Sequence, residues 1–310
     1  MRIGLIDVDG HNFPNIPLMK LSAFHKMCGS TVEWYEPMFS GHMDVVYMSK
    51  VFSFSDDYQY HIDADEIITG GTGYAIKTVN GVEQYNPIID YPLTKAVEHM
   101  MPDYSLYGIT DTAYGFLTRG CPRGCAFCHV APKEGRKAHK VADLTEFWTD
   151  QKNIVLCDPN ILACGEWRDL FDQLQGSKAW VDFNQGLDIR LMTDEKADAL
   201  EKLKIKEIHF AWDRCGDKER ILPNLKRFRE RSTINQRNAV VYVLCNFDSS
   251  FEEDLERVYT LRDMGYSPYV MLYDKEHIPP HSDLRRLQRW VNNRFVFWSC
   301  ERFEDYKRGA

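Results

Sequence analysis

The pattern of hydrophobic and polar positions divides the chain into two series of elements. In the first series, four short apolar runs have the length and composition of buried strands: Arg2–Ile6, Thr31–Tyr35, Asp44–Met48 and Glu66–Thr69. Between the first two runs, Ile16–Cys28 has helical apolar spacing, and Gly29 follows it as a residue that ends helices. Strands that alternate with helical stretches predict a parallel sheet covered by helices. We therefore expect a small α/β domain over residues 1–90.

The second series begins near residue 113. Six apolar runs predict strands: Ala113–Thr118, Ile154–Cys157, Ala179–Phe183, Lys206–Trp212, Ala239–Cys245 and Pro268–Tyr273. Four stretches between these runs have helical spacing: Leu144–Asp150, Asp194–Leu203, Asp217–Arg231 and Phe251–Met264. Six strands in β-α order predict a partial (β/α)6 barrel of the TIM type over residues 113–280. In such folds the chemistry takes place at the carboxyl ends of the strands.

Two segments lie outside these series. Residues 91–112 are rich in Pro, Tyr and Met and have no clear period, so we expect a linker that lies across a surface. Residues 281–310 are expected to form a basic helix, Ser282–Asn292, followed by the apolar stretch Phe295–Trp298 and a tail.

Composition narrows the classes of function. A chain of 310 residues is too long for one ordinary core and fits two domains. A formal charge of −8 argues against a protein that mainly coats nucleic acid. The longest apolar run, Ala239–Cys245, is far shorter than the roughly 20 residues of a membrane-spanning helix. The amino terminus, MRIGLIDVDGHNFP, meets charge and proline too early for a secretory signal. We expect a cytoplasmic protein without a membrane partner.

Three of the nine cysteines form one cluster. The segment FLTRGCPRGCAFCHV places Cys121, Cys125 and Cys128 in a C-x-x-x-C-x-x-C spacing directly after the first strand of the second series. Three thiolates on a short loop can hold three irons of a cubane cluster, and the fourth iron then lacks a protein ligand. Gly120 and Gly124, with the proline between them, let the loop curl tightly. The spacing thus predicts a [4Fe–4S] cluster.

Two other metal sites compete with this interpretation. A structural zinc site normally uses four ligands in two pairs. His129 is available as a fourth ligand, but it is adjacent to Cys128, and neighbouring side chains cannot easily face one metal. A bacterial ferredoxin run would need a C-x-x-C-x-x-C pattern and a further cysteine.

The segment CPRGCAFC resembles the signature of the radical S-adenosylmethionine superfamily, including the aromatic residue Phe127 before the last cysteine. The resemblance implies a partial barrel in which the cluster on the three cysteines binds the amino and carboxylate groups of S-adenosylmethionine. It also implies a reductant such as a flavodoxin or ferredoxin. An electron from this reductant reduces the sulfonium of S-adenosylmethionine, and a 5′-deoxyadenosyl radical removes hydrogen from the substrate. The protein positions and shields the reactants.

The resemblance further implies that polar residues at the strand ends hold S-adenosylmethionine. The Gly-Gly-Glu-like turn of many members is missing after the second strand, where the chain reads CDPNI. This turn resembles the Asp/Asn turn of radical enzymes with a cobalamin-type amino-terminal domain. Asp158 or Asn160 is expected to accept hydrogen bonds from the ammonium group. The competing interpretation is a simple turn that ends the strand.

Further candidates follow the next strands. Arg190 is expected to pair with the methionine carboxylate, because a guanidinium fits that group. Asn184 and Gln185 are expected to contact the ribose or the substrate, and Asp213 is a further candidate for the same role. Loop capping is the alternative for each of them, and Asp248 after the fifth strand is equally suited to cap the next helix.

The amino-terminal domain resembles the Rossmann-like or flavodoxin-like cobalamin-binding domains that precede some radical barrels. The segment DGHNFP resembles the D-x-H-x-x-G motif around His11, with Pro14 in place of the glycine, and Gly70-Gly71 resembles a later glycine pair. Neither Ser49 nor Ser53 has the expected spacing. We therefore expect a cobalamin-type fold that does not bind cobalamin and serves in substrate docking.

The leading function is radical chemistry on an unknown substrate. Methylthiolation is disfavoured because the amino-terminal domain has a single cysteine, Cys28. The remaining cysteines lack C-x-x-C pairing, which argues against an auxiliary cluster: Cys157, Cys164, Cys215, Cys245 and Cys300. One alternative is an iron–sulfur electron-transfer or sensing protein that does not cleave S-adenosylmethionine. Others are a cobalamin-dependent radical methyltransferase or an RNA-modifying enzyme that uses the arginines of the basic helix, Arg285, Arg286 and Arg289.

Overall fold

The computed structural model describes residues 1–79 and 82–307 and forms two compact units. The first unit consists of Met1–Phe116, Gly120–Lys137 and Val141–Ile154, and the second of Leu117–Arg119, Ala138–Lys140 and Val155–Ala310. Parallel strand pairs form the two larger sheets of the fold, so the predicted α/β class is confirmed. Within the described residues, no helix is both long and apolar enough to cross a membrane.

The sheet of the first unit has four parallel strands: β1 (Arg2–Asp7), β2 (Thr31–Trp34), β3 (Met43–Ser49) and β4 (Ala64–Gly70). Their order is β2-β1-β3-β4, and the helix α1 (Ile16–Met27) packs on this sheet. Asn15 begins α1, because its side chain accepts a hydrogen bond from the backbone N–H of Leu18 at 3.2 Å. These four strands and this helix confirm the elements predicted from the apolar runs.

The remaining elements of the first unit were not predicted from the apolar pattern. A short helix α2 (Thr72–Ala75) leads into an antiparallel hairpin of β5 (Ile76–Val79) and β6 (Val82–Tyr85). The segment expected to be a linker contains a helix, α3 (Lys95–Glu98), and a 3₁₀ turn at Tyr104–Tyr107. The indole N–H of Trp34 donates to the carbonyl of Leu106 at 3.1 Å, so this segment is fastened to the sheet.

The larger sheet has the order β14-β13-β12-β11-β10-β7, in which neighbours follow the order of the βα units along the chain. Its strands are β7 (Thr112–Gly115), β10 (Asn153–Leu156), β11 (Trp180–Leu187), β12 (Lys204–Ala211), β13 (Ala239–Cys245) and β14 (Ser267–Leu272), and a separate pair is formed by β8 (Thr118–Arg119) and β9 (His139–Lys140). The helices are α4 (Val130–Glu134), α5 (Trp167–Ser177), α6 (Asp194–Glu201), α7 (Lys218–Arg231), α8 (Phe251–Asp263), α9 (Asp283–Asn292) and α10 (Arg294–Ser299).

Three predicted elements differ from the structure. The run Ala113–Thr118 is two short strands, β7 and β8, rather than one. The predicted helix Leu144–Asp150 is wrong: the segment forms a single 3₁₀ turn, Leu144–Glu146, and the carbonyl of Phe147 after it accepts a hydrogen bond from the Tyr104 hydroxyl at 2.6 Å. Helix α5 was not predicted, and the apolar stretch Phe295–Trp298 is part of the helix α10.

A buried arginine joins the ends of two central strands of the second unit. The guanidinium of Arg257 on α8 donates to the carbonyls of Trp212, after β12, and Leu244, in β13, each at 2.7 Å. It also pairs with Asp254, and both side chains are almost fully buried. Because two carbonyls and one carboxylate depend on this group, its removal leaves buried polar atoms without partners.

We predict that Arg257→Ala destabilises the protein by roughly 3–5 kcal/mol, the usual cost of breaking a buried ion pair. The free energy of unfolding in urea measures this loss. Arg220→Ala, which removes an exposed arginine from α7, is the matched control and should change stability little. Equal effects of the two substitutions would contradict the role given to Arg257.

Candidate functional site

The cysteine loop follows β8 in the chain and ends at α4. Cys121, Cys125 and Cys128 are all half-buried, and so is Phe127 between the last two. The backbone N–H of Cys128 donates to the carbonyl of Cys125 at 3.0 Å, and that of Cys121 donates to Gly135 at 3.1 Å. The loop is therefore folded back on the end of α4. Across the described part of the chain, no group of three or more His, Cys, Asp or Glu side chains is arranged so that it could hold a metal ion.

A glycine is required where this loop begins. Gly120 has a φ of +83°, a region that other residues rarely adopt. A Cβ there would lie 2.3 Å from the carbonyl oxygen of Lys137, which is closer than two atoms can approach. The curl expected from the sequence is therefore present at this position.

His129 is engaged away from the cysteines. Its Nε2 atom lies 3.0 Å from a carboxylate oxygen of Glu83 in β6, and Ser53 donates to the other oxygen at 2.6 Å. Burial opposes the charge of Glu83, but the hydrogen bonds from Ser53 and His129 hold the pKa of this carboxyl below its usual value. The zinc alternative with His129 as fourth ligand therefore gains no support from the geometry.

The carboxylate of Asp158 at the end of β10 is buried and fully used by the protein. It accepts hydrogen bonds from the backbone N–H of Leu117 at 3.1 Å and from both the N–H and the hydroxyl of Thr118. Burial raises the pKa of Asp158 to about 6, against the opposing effect of these hydrogen bonds. The side chain expected to meet a ligand ammonium instead holds the backbone that leads into the cysteine loop.

A second polar group surrounds Arg190. The guanidinium of Arg190 contacts Asp188 at 2.7 Å and Asp217 at 3.0 Å. The buried side chain of Asn160 donates to Asp188 at 3.5 Å. Burial raises the pKa of Asp213, which follows β12, to about 6, and the charge of Arg190 is the largest opposing influence. The structure thus brings Asn160, Arg190 and Asp213 into one acidic cluster with a central cation.

Asn184 and Gln185 lie where β11 is irregular. Phe183 pairs with Ile208 of β12, but the next paired residue on β11 is Leu187, opposite Phe210. The intervening residues therefore bulge out of the ladder, an arrangement common beside functional sites. Asn184 is half-buried and Gln185 is exposed, and the carbonyl of Asn184 accepts a hydrogen bond from Tyr242 at 2.9 Å.

One polar cluster, on β11, β12 and β13, was not predicted from the sequence. His209 lies 3.7 Å from Asp182 and 3.6 Å from Glu207, and its ring stacks on Tyr242 at 5.0 Å. Burial raises the pKa of Asp182. The signal in the sequence is a polar residue inside an otherwise apolar run of each strand: Asp182, His209 and Tyr242.

The amino-terminal motif residues serve the packing of the first unit. His11 stacks on Trp34 with ring centres 4.2 Å apart. Asp9 accepts hydrogen bonds from the backbone of Val51 and Phe52 and from the Ser55 hydroxyl, so it does not orient His11. A Cβ on Gly71 would lie 2.2 Å from the carbonyl oxygen of Lys50, so a neighbouring strand end accounts for this glycine. The absence of cobalamin stays a prediction.

The remaining candidates also have partners within the protein. Asp248 accepts from Arg214 at 3.0 Å, and Ser250, not Asp248, caps α8. The three arginines of the basic helix donate to backbone carbonyls of the carboxyl-terminal region: Arg285 to Lys275 and Ile278, Arg286 to Phe303 and Tyr306, and Arg289 to Pro280. Arg286 is therefore held by the tail, and Arg285 and Arg289 by the segment before the helix, so the RNA-modifying alternative gains no support from them.

Comparison with known proteins identifies no relative. No family model matches the chain, and no curated protein matches it. The functional interpretation rests on the residues of this chain and on their geometry.

The raised pKa of Asp213 predicts a pH dependence of stability. At about pH 5 the folded protein retains a proton that the unfolded chain loses, because the pKa rises from 3.8 to about 6 on folding. The contribution of Asp213 to the stability of the wild-type protein should therefore fall as the pH rises from about 4 to about 6. Asp213→Asn cannot lose this proton, so it should gain stability relative to wild type over the same interval.

Urea unfolding at several pH values between about 4 and 7 measures this effect. Asp111→Asn, at an exposed position, should follow the wild-type curve. Parallel curves for wild type and Asp213→Asn would show that the pKa of Asp213 is not raised.

Proposed function

We propose that this protein is a radical S-adenosylmethionine enzyme whose [4Fe–4S] cluster is held by Cys121, Cys125 and Cys128. The observation that carries the proposal is the cysteine loop itself: three half-buried thiols in C-x-x-x-C-x-x-C spacing, on a backbone that only a glycine at position 120 allows. In this proposal the larger sheet curves as a partial barrel, and the residues at its strand ends face the cofactor.

The residues present fit the proposed group by the chemistry of the donor set. Three thiols are the ligands that an iron–sulfur cubane with one open iron requires. His129, the nearest competing ligand, is occupied by Glu83 at 3.0 Å. When bound, the cluster would supply the electron that cleaves S-adenosylmethionine, and a flavodoxin or ferredoxin would supply that electron to the cluster.

The chain's own residues take separate parts in this proposal. Asp158 is a positioning residue, because its carboxylate holds Leu117 and Thr118, directly before the cysteine loop in the chain. Arg190 is the candidate for the methionine carboxylate, although it must share its charge with Asp188 and Asp217. Asn160 and Asp213 belong to the same cluster: Asn160 is the candidate for the ammonium group, and Asp213 is a candidate for the ribose or the substrate. Asn184 and Gln185, on the bulge of β11, are candidates for contacts with the ribose or the substrate.

We predict that the protein, reconstituted anaerobically with iron and sulfide, holds about four irons per chain. The triple variant of Cys121, Cys125 and Cys128 to Ala should lose the iron and the visible absorption, because the ligands are gone. The triple variant Cys28→Ala, Cys215→Ala and Cys300→Ala removes the same number of thiols outside the loop and should retain both. Full iron in the loop variant would refute the cluster.

The reaction is tested separately from the cluster. Reconstituted protein with dithionite and S-adenosylmethionine should form 5′-deoxyadenosine, and the loop variant should not. A protein that holds the cluster but forms no 5′-deoxyadenosine would be an electron-transfer or sensing protein instead.

We predict that Arg190→Ala weakens S-adenosylmethionine binding by about 10- to 100-fold, the effect of losing one charged contact in a sheltered site. Iron content should not change, because Arg190 is not a ligand. Isothermal titration of the reconstituted protein measures the dissociation constant. Arg168→Ala breaks an exposed ion pair with Glu195 and should leave binding unchanged. If Arg190→Ala binds as wild type does, Arg190 has no part in the site.

A further inference from the structure

The first unit contains a cavity of about 380 Å³ at the carboxyl ends of β1 and β2. It lies beside Asp7 at the end of β1 and Trp34 at the end of β2, and a loop with Tyr58 and Tyr60 forms another wall. In open parallel sheets, ligands bind outside the carboxyl ends of the strands. The volume falls at the lower end of the range for small-molecule sites, which suits a compact ligand.

Aromatic rings line this cavity and are held in place. Trp34 has His11 against one side at 4.2 Å and the edge of Tyr107 at 5.1 Å, and its indole N–H is fixed to the carbonyl of Leu106. Tyr58 and Tyr60 meet edge to face at 5.5 Å. The buried hydroxyl of Tyr58 has no hydrogen-bond partner among the residues that the structure describes. The cavity thus offers fixed π faces and one unused polar atom.

The charge at the cavity is negative. Four carboxylates lie along it: Asp7, Glu36, Asp56 and Asp57. Asp57 pairs with Lys50 at 2.7 Å, and Asp7 accepts from the Tyr107 hydroxyl at 2.7 Å. Glu36 and Asp56 are exposed and form no ion pair with any described residue. No lysine or arginine is among the described lining residues, so two carboxylates remain available to a ligand.

We propose that this cavity binds an alkylammonium group, carried by a free polyamine or by a lysine side chain. A cation is attracted both to the faces of Trp and Tyr rings and to carboxylates, and the two attractions combine where the site is partly desolvated. The same carboxylates repel phosphate, so the cavity disfavours nucleotides despite its aromatic walls. This site is independent of the proposed radical chemistry, because it uses none of the residues assigned to that chemistry.

The test is a titration of the full chain with two amines, followed by the fluorescence of the tryptophans and by calorimetry. Spermidine represents the free polyamine, and Nα-acetyl-lysinamide represents the lysine side chain. Nα-acetyl-norleucinamide has a similar length without the charge and should not bind. Saturable binding of either charged probe supports the proposal, and the tighter of the two identifies the source of the ammonium group.

Variants of the cavity locate the binding. The double variant Glu36→Gln and Asp56→Asn should weaken binding by about tenfold or more, since it removes both available charges. The double variant Glu66→Gln and Asp150→Asn removes two exposed charges of the same unit away from the cavity and should bind as wild type does. Tyr60→Leu should weaken binding by several-fold, because it removes one π face.

Three results would overturn the proposal. The first is no saturable binding of either charged amine at concentrations on the order of 10 mM. The second is equal binding of the uncharged norleucine compound, which would mean that the cavity selects for shape alone. The third is equal weakening by the two double variants, which would mean that the amines respond to the general surface charge. Circular dichroism of each variant verifies that the fold is retained.

Discussion

The carboxylate of Asp158 is the contact on which the candidate site depends most. It is buried at the end of β10 and accepts hydrogen bonds from the backbone of Leu117 and Thr118, some forty residues earlier in the chain. A buried carboxylate is costly unless its oxygens are satisfied, and here three donors satisfy them. Thr118 precedes the cysteine loop by two residues in the chain, so Asp158 fixes the backbone just before the loop.

Arg257 fixes the ends of two later strands, β12 and β13, as Asp158 fixes the backbone before the cysteine loop. Its guanidinium joins the carbonyls of Trp212 and Leu244, and Asp213 follows Trp212 directly. Both side chains are charged and buried, and their hydrogen bonds to the backbone favour one arrangement of the strand ends over near alternatives. The strand ends that carry Asp158 and Asp213 are thus fixed by hydrogen bonds to buried side chains. A site built on such ends is preorganised before any ligand binds.

Local apolar pattern was sufficient to predict most strands but not the contacts between them. The run Ala239–Cys245 is β13 without a change of boundary, because a continuous apolar run of seven residues fits a strand covered on both faces. Helix α5 was missed although Trp167, Leu170 and Leu174 recur at helical spacing. The predicted helix at Leu144–Asp150 is a single 3₁₀ turn, and the carbonyl of Phe147 after it is bound by a distant residue, Tyr104, a contact that the local pattern does not contain.

The candidate site was predictable to the extent that it is local in sequence. The three cysteines and their glycine form one short loop, so spacing alone identifies them. The role of Asp158 was not accessible in this way, because an aspartate at a strand end looks the same whether it faces a ligand or binds distant backbone. Only the burial and the partners of Asp158 distinguish these two roles.

The amino-terminal motif is a second case in which contacts, not sequence pattern, reveal the role of an aspartate. Asp9 accepts hydrogen bonds from Val51 and Ser55, and the chain continues directly from Ser55 into Asp56 and Tyr58. The residues that resemble a cobalamin motif therefore help to shape an acidic, aromatic cavity. Their packing contacts alone account for the presence of these residue types.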